Sequence, residues 1–380
     1  MKKVLFIQNH ASTKGGVWSV NKALIDELNN SGYDARIIAI RETFKKEDTK
    51  GIKAYSVEEN KSWEVPFRSD VKKYLFKFEI KKAVKALKEI IDRKHDIKRL
   101  STFINNFKPD YIVATHYQVL DGIPKNYLNK TISIHHNSFK VYNENKSHVK
   151  TYQRYNNKVY FAFLSKATCK KAKQSGLNNC HYLYNPVKFN TDLVAPVLDN
   201  KKIIIVSRLS REKRIDLMID IVKDVFKNKK LKDWTMHIYG DGSETLKLVK
   251  KIENENRIFI HDRTDNAKET FLSGSITLNT SLYEGFPMNI LEASECGVPT
   301  ITFDFGESCK EEVINNKTGF IIPFDDLKKF KEKLILLMSS KRLLKKMSRE
   351  CKEYNKKFNV KNSLAMYLKL FKEIDKGVIR

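Results

Sequence analysis

At 380 residues the chain exceeds what one hydrophobic core usually supports, and its 41% hydrophobic and 31% charged content excludes both a disordered and a fibrous chain. No apolar run approaches the ~20 residues that a membrane helix needs, so it is not expected to span a bilayer. The 72 basic and 45 acidic residues give a net charge of +27, of which residues 1–190 (36 basic, 17 acidic) supply +19, leaving +8 for 191–380.

The first expected strand is Val4–Ile7; with only Lys2-Lys3 ahead of it and Gln8-Asn9-His10 behind, it is too short for the apolar core of a secretory leader. Lys14-Gly15-Gly16-Val17 follows, then an amphipathic helix from Val20 to Asn30 closed by Gly32. Paired glycines let the backbone approach a ligand, and amides at a helix N-terminus favour phosphate, although a plain tight turn carries the same signature. Further strands are expected at Ala35–Ile40, Tyr111–Thr115, Thr131–His135 and Val159–Leu164. Between them, Arg68 to Lys108 holds 13 basic and 5 acidic residues. Tyr74, Leu75, Phe78, Val84, Leu87, Ile90 and Ile91 recur there as on an amphipathic helix with a basic outer face. Such a face suits nucleic acid, an anionic leaflet or a phosphate-containing polymer, and equally a solvated lysine-rich surface.

A second series is expected at Ile203–Ser207, Thr235–Tyr239, Arg257–Ile260, Ser275–Asn279 and Thr300–Phe303, with helical patterns such as Asp216–Phe226 and Ser243–Ile252 between. Alternating strands and helices imply parallel sheets wrapped by helices, hence two doubly wound domains. The stretch from Tyr184 to Lys201, interrupted by Pro186 and Pro196, is the expected hinge, and the cleft between the domains the expected active site. Leu327–Lys356 reads as lysine-rich helix. The five cysteines (Cys169, Cys180, Cys296, Cys309, Cys351) are odd in number and lack C-x-x-C spacing, so a reducing cytoplasm is the expected setting.

Two further segments could carry chemistry. Arg208 and Lys213, beyond the first strand of the second series, could clamp a diphosphate and offset charge on a leaving group. Glu284 precedes the turn Gly285-Phe286-Pro287, whose amides open a helix through Met288 and Asn289, with Pro287 suited to its first position. Glu292, one and a half turns into that helix, could accept hydrogen bonds from a ribose diol, or be a surface charge.

The two glutamates seven residues apart in Ser281-Leu282-Tyr283-Glu284-Gly285-Phe286-Pro287-Met288-Asn289-Ile290-Leu291-Glu292, preceded by the Arg208/Lys213 pair, resemble the retaining glycosyltransferases of family 4 with a GT-B fold. Gly15-Gly16 matches that family's glycine loop, Tyr239-Gly240-Asp241-Gly242 its turn before the nucleotide pocket, and Glu295 to Ile301 its following strand. The resemblance covers nearly the whole chain and implies two Rossmann-like domains facing a cleft: an acceptor domain over 1–190, a nucleotide-sugar domain over 191–357, and a last helix (358–380) crossing back.

It further implies that Arg208 and Lys213 bind the donor's phosphates, Glu292 its ribose, and Glu284 with Phe286 to Asn289 the sugar and distal phosphate, with Gly240 in the nucleotide turn. Gly15, Gly16 and a strand-end histidine line the cleft; His135 is favoured over His136, the register leaving the choice open. Arg214 stands where many relatives carry glycine. No D-x-D sequence occurs, so no metal cofactor is expected, Arg208 and Lys213 taking its place. The implied reaction moves a hexose or N-acetylhexosamine, with UDP as the carrier, to a hydroxyl of an acceptor such as teichoic acid or capsular polysaccharide. A lipid-linked sugar at the inner face of the membrane, with peripheral contact to anionic lipid, is the alternative acceptor. A GT-B nucleotide-sugar epimerase fits the Glu284–Glu292 segment poorly, and a nucleic-acid-binding protein lacks any accompanying motif.

Overall fold

The computed structural model describes residues 1–11, 15–41, 44, 49, 51–57, 75–76, 79–191, 196–377 and 379. Lys14, Tyr74 and Phe78 of the motifs above lie outside them, as does part of the expected hinge (192–195).

Thirteen strands appear among the described residues: β1 (Lys3–His10), β2 (Asp34–Arg41), β3 (Ala54–Ser56), β4 (Tyr111–Ala114), β5 (Thr131–His135), β6 (Tyr160–Phe163), β7 (Cys180–Tyr182), β8 (Lys202–Val206), β9 (Thr235–Tyr239), β10 (Ile258–His261), β11 (Thr277–Asn279), β12 (Thr300–Phe303) and β13 (Gly319–Ile322). The first sheet has seven strands in the order β3-β2-β1-β4-β5-β6-β7, every ladder parallel. The second half forms two parallel three-stranded sheets, β10-β9-β8 and β11-β12-β13, joined by an Ile203–Ile276 bridge and the Ile204 N–H bond to Ile276 O at 2.9 Å. This is the doubly wound architecture expected from the alternation.

β3, β7 and β13 were not anticipated, and all three are sheet edges. An edge strand pairs on one side only and can be short, so it leaves little apolar signature in the sequence. The central strands are the reverse: β4 and β12 are buried at every position, because helices cover both faces.

The three largest apolar clusters among the described residues form the cores. One, with Phe6, Leu24, Ile25 and Val113, lies between the first sheet and the helix Gly16–Asn30, and also takes in Leu364, Leu370 and Phe371 of the last helix, Val360–Asp375. The chain thus returns to the first sheet: the Tyr111 and Phe371 rings stack at 4.0 Å, and Asp375 accepts from Lys2 Nζ at 2.6 Å and Tyr111 Oη at 2.9 Å. The opposite face of that sheet packs Leu100, Ile104 and Phe107 of the helix Ile80–Phe107. A separate core fills the second half around Ile203, Ile219, Met236, Ile301 and Phe330.

The basic helix differs from its expectation. It begins at Ile80, and the apolar residues Ile80, Val84 and Leu87 are exposed rather than facing the sheet; only the later turns supply core residues.

Candidate active site

Both lobes present the carboxyl ends of parallel strands, where open sheets bind ligands. After β8 the chain runs through Ser207 and Arg208 into a short turn, Arg211–Lys213. Gly240 crosses directly over it: a Cβ there would lie 1.9 Å from Ser207 O, so only glycine lets these two loops touch. Thr280 Oγ1 donates to Lys213 O (3.1 Å) and to Arg214 O (3.0 Å), and Leu282 N donates to Glu212 O (2.9 Å). These bonds tie the loop after β8 to the loop after β11.

The consequence is a braced charge pair. Lys213 Nζ lies 2.5 Å from Glu284 Oε1, with side chains only 17% and 11% exposed. Ser281 Oγ donates to the same oxygen at 2.6 Å. The lysine and the carboxylate are charge-complementary and partly desolvated, and the hydroxyl adds a second donor to the carboxylate. Arg208 stands apart: its side chain is 70% exposed and reaches Glu212 at 3.3 Å, on the rim rather than in the pair.

Pro287 is the residue before the helix Met288–Glu295, one position earlier than expected, and Glu292 lies in that helix's second turn. Glu292 is half-buried; burial pushes its carboxyl up to about 7, with the charge of Lys188 on the interlobe segment pulling the other way. A carboxyl held uncharged near neutrality by burial is suited to gaining polar partners on ligand binding.

The first lobe meets this turn at the end of β5. A Cβ on Gly285 would lie 1.9 Å from His136 O, so the Glu284-Gly285 turn is pressed against the strand-end histidine's backbone. A Cβ on Gly16 would likewise come within 3.2 Å of Met288 Cγ. His136 therefore meets the second lobe, whereas His135, the residue favoured from sequence, is only 2% exposed behind it. The contact is made by the main-chain oxygen of His136, just past the end of β5, and the side-chain pattern of the strand does not disclose it.

His135 belongs to an aromatic box. Its ring lies 4.8 Å from that of His148, which stacks on Tyr117 at 4.0 Å, with Tyr142, Tyr152 and Phe163 closing the sides. Burial pushes His135 down to about 4, His136 to about 3 and His148 to about 2, so all three are neutral imidazoles at pH 7.

The structure thus brings Lys213, Glu284, Gly285, Met288, Gly16 and His136 to one interlobe contact. Phe286 does not face it: its ring is buried against Tyr184 and Phe358, leaving only its backbone to reach a ligand. Asn289 is half-buried in the first turn of the Met288–Glu295 helix, and Gly15 precedes the helix Gly16–Asn30 at φ 112°. Arg214 adopts φ 52°, a left-handed conformation that explains why glycine would suit its place; its side chain instead pairs with Asp325 at 2.6 Å.

Ser281 stands inside the quoted motif and could have been named from it. Glu311 and Glu312 could not, because no motif marks them. The Glu311 carboxylate accepts from the N–H groups of Lys166 (3.1 Å) and Ala167 (2.8 Å) and from Tyr184 Oη (2.7 Å), linking the lobes. Glu312 is 1% exposed; burial lifts its carboxyl well above the usual range, opposed by Ser308 and reinforced by the Glu284 charge. Among the described residues no group of three His, Cys, Asp or Glu side chains is arranged to hold a metal ion.

Residues 193–358 match the family model for glycosyl transferases group 1. The chain carries a glycosyl transferases group 1 domain. It is 27% identical over 164 residues to the poly(glycerol-phosphate) alpha-glucosyltransferase of Bacillus subtilis (strain 168), covering 42% of this chain and 24% of that protein. It is also 27% identical over 170 residues to the poly(ribitol-phosphate) alpha-N-acetylglucosaminyltransferase of Staphylococcus aureus (strain COL), covering 44% and 34% respectively. The chain therefore matches about a quarter to a third of the length of these curated relatives. The crystal structure of a TarM mutant of S. aureus, in complex with fondaparinux, alpha-GlcNAc-glycerol and UDP, superposes with a TM-score of 0.78 at 17% identity, covering 98% of this chain and 100% of that one. The fold of the chain is GT-B.

Proposed function

We propose that this protein is a retaining glycosyltransferase that moves a hexose or N-acetylhexosamine from UDP to a hydroxyl of a cell-envelope glycopolymer, teichoic acid or capsular polysaccharide. The observation that carries the proposal is the Lys213–Glu284 pair, braced by Ser281 and set against His136 of the other lobe. Two relatives bear the names of poly(alditol-phosphate) glycosyltransferases, and a structural neighbour is bound to UDP, which favours this donor and acceptor class.

In this reading the donor diphosphate lies between the loop after β8 and the start of the Met288–Glu295 helix. Lys213 is held by Glu284 at the depth where charge develops on the departing phosphate, and Arg208 folds in from the rim to share it. A preorganised cation in a closed site contributes roughly 3 to 4 kcal/mol to such a step. The two cations take the part of a divalent metal. Glu292 receives the ribose diol, which supplies hydrogen-bond partners to a half-buried carboxyl. His136 and the Gly15-Gly16 turn border the sugar and the incoming hydroxyl. The +19 charge of residues 1–190 favours a polyanionic acceptor over a neutral one.

The test is a panel of nucleotide sugars monitored for nucleotide release, first alone, then with teichoic acid, capsular oligosaccharide and a lipid-linked sugar. UDP release that requires one of the polymers supports the proposal. Release only with the lipid-linked sugar moves the acceptor to the membrane, and sugar interconversion without an acceptor overturns transfer.

A further inference from the structure

The helix Ile80–Phe107 outruns the sheet it covers. At ~1.5 Å per residue its 28 residues extend about 42 Å, whereas the eight residues of β1 extend about 27 Å. Its C-terminal end is fixed at the amino edge of the sheet, where Lys3 Nζ donates to Phe107 O at 3.1 Å. The excess of roughly 15 Å therefore projects beyond the carboxyl edge, the side on which the cleft opens.

The projecting turns are unlike an ordinary solvated helix end. Ile80, Val84 and Leu87, spaced i, i+4, i+7 on one side, are 64%, 62% and 51% exposed, and Phe76 just ahead of them is 87% exposed. Lys81 and Lys85, also exposed, stand along one edge of that stripe, while Lys82 lies across the helix and pairs with Glu79 at 3.2 Å. Over residues 80–99 the sequence holds eight basic and three acidic residues. Apolar residues displayed in a row beside lysines form an interfacial helix, whose apolar side enters the headgroup boundary while ammonium groups meet anionic phosphates. A second copy of the chain is a poor occupant, because a self-contact through this patch would set the lysines of the two copies against each other. Among the described residues no helix is long and apolar enough to cross a membrane, so the contact is peripheral.

We propose that the projecting end of the helix Ile80–Phe107 docks on an anionic lipid surface through Phe76, Ile80, Val84 and Leu87, with Lys81 and Lys85 on lipid phosphates. Docking in this orientation turns the cleft mouth toward the bilayer, where lipid-attached acceptors are concentrated. The inference does not depend on the transfer reaction, and its test does not require it.

The full chain is sedimented with vesicles rich in phosphatidylglycerol and with vesicles of phosphatidylcholine alone, at low and high salt. Wild type is expected to bind the anionic vesicles, more weakly as salt rises. Ile80→Asp/Val84→Asp/Leu87→Asp is expected to reduce partitioning about tenfold or more, and Lys81→Glu/Lys85→Glu comparably. These positions are exposed, so an unchanged melting temperature and circular dichroism spectrum verify folding. Equal binding by wild type and both variants overturns the proposal, as does wild type remaining in the supernatant. A dimer in solution that the aspartate variant dissolves, without vesicle binding, assigns the patch to a second copy instead. Calorimetric UDP binding by wild type and the same variants separates the two readings: no UDP binding by wild type defeats the donor assignment and leaves the docking result standing.

Discussion

The two lobes place different chemistry at the same topological address. Around the end of β5, burial holds the imidazoles of His135, His136 and His148 neutral; beyond β8 and β11, a partly buried lysine and carboxylate pair with each other, with Ser281 donating to the carboxylate. Burial drives titration where no partner is supplied and is tolerated as charge where one is. The first environment suits contact with an uncharged sugar hydroxyl, the second a phosphate.

The largest effect that could break this contrast is catalytic. Lys213→Ala should lower acceptor-dependent nucleotide release about a hundredfold or more while the protein stays folded, since the remaining Glu284 then repels the phosphate it formerly helped to hold. Turnover close to wild type would remove Lys213 from the donor site. Gly285→Ala acts on the contact between the two environments: the added methyl cannot coexist with His136 O, so the lobes must part, with an expected loss of about 1 to 3 kcal/mol in a denaturant titration and loss of transfer.

The pH responses of the buried histidines and of Glu292 should have opposite signs. The histidines titrate below their unfolded value of about 6.5, so the unfolded chain gains protons first and stability falls as pH drops from about 6.5 toward 4. His148→Phe, which keeps the stack on Tyr117, should make that fall shallower. Glu292 is raised instead, so the folded chain holds its proton longer than the unfolded one and stability declines as pH rises from about 4.5 toward 7. Glu292→Gln should flatten that limb. Thermal melts across pH 4 to 8 measure both, and matching slopes in variant and wild type would refute the assigned environment. The smallest effect is expected for Arg214→Gly, where relief of the left-handed backbone offsets the lost pair with Asp325, keeping the change within about 1 kcal/mol by chemical denaturation.

Much of the site was legible in order along the chain. The Glu284 to Glu292 segment, the Arg208/Lys213 pair and the glycines at 16 and 240 were named for chemistry that requires backbone approach or charge, and several of them meet in space. For Phe286 the sequence does not show that the ring packs inward on Tyr184 and Phe358, which leaves the backbone as the part able to reach a ligand. In sequence Arg208 and Lys213 look like an equal pair, yet one is partly buried against a carboxylate and the other stands on the rim. That distinction depends on Glu284, 71 residues beyond Lys213.

Local pattern determined the alternation of strands and helices, the parallel sheets and the concentration of positive charge in the first half, because periodicity and composition act over a few residues. Register, the choice of His136 over His135 at the interlobe contact, the edge strands and the exposure of Ile80, Val84 and Leu87 were decided only when distant segments packed. Which face of a strand or helix loses water depends on what lies against it, and those neighbours come from elsewhere in the chain.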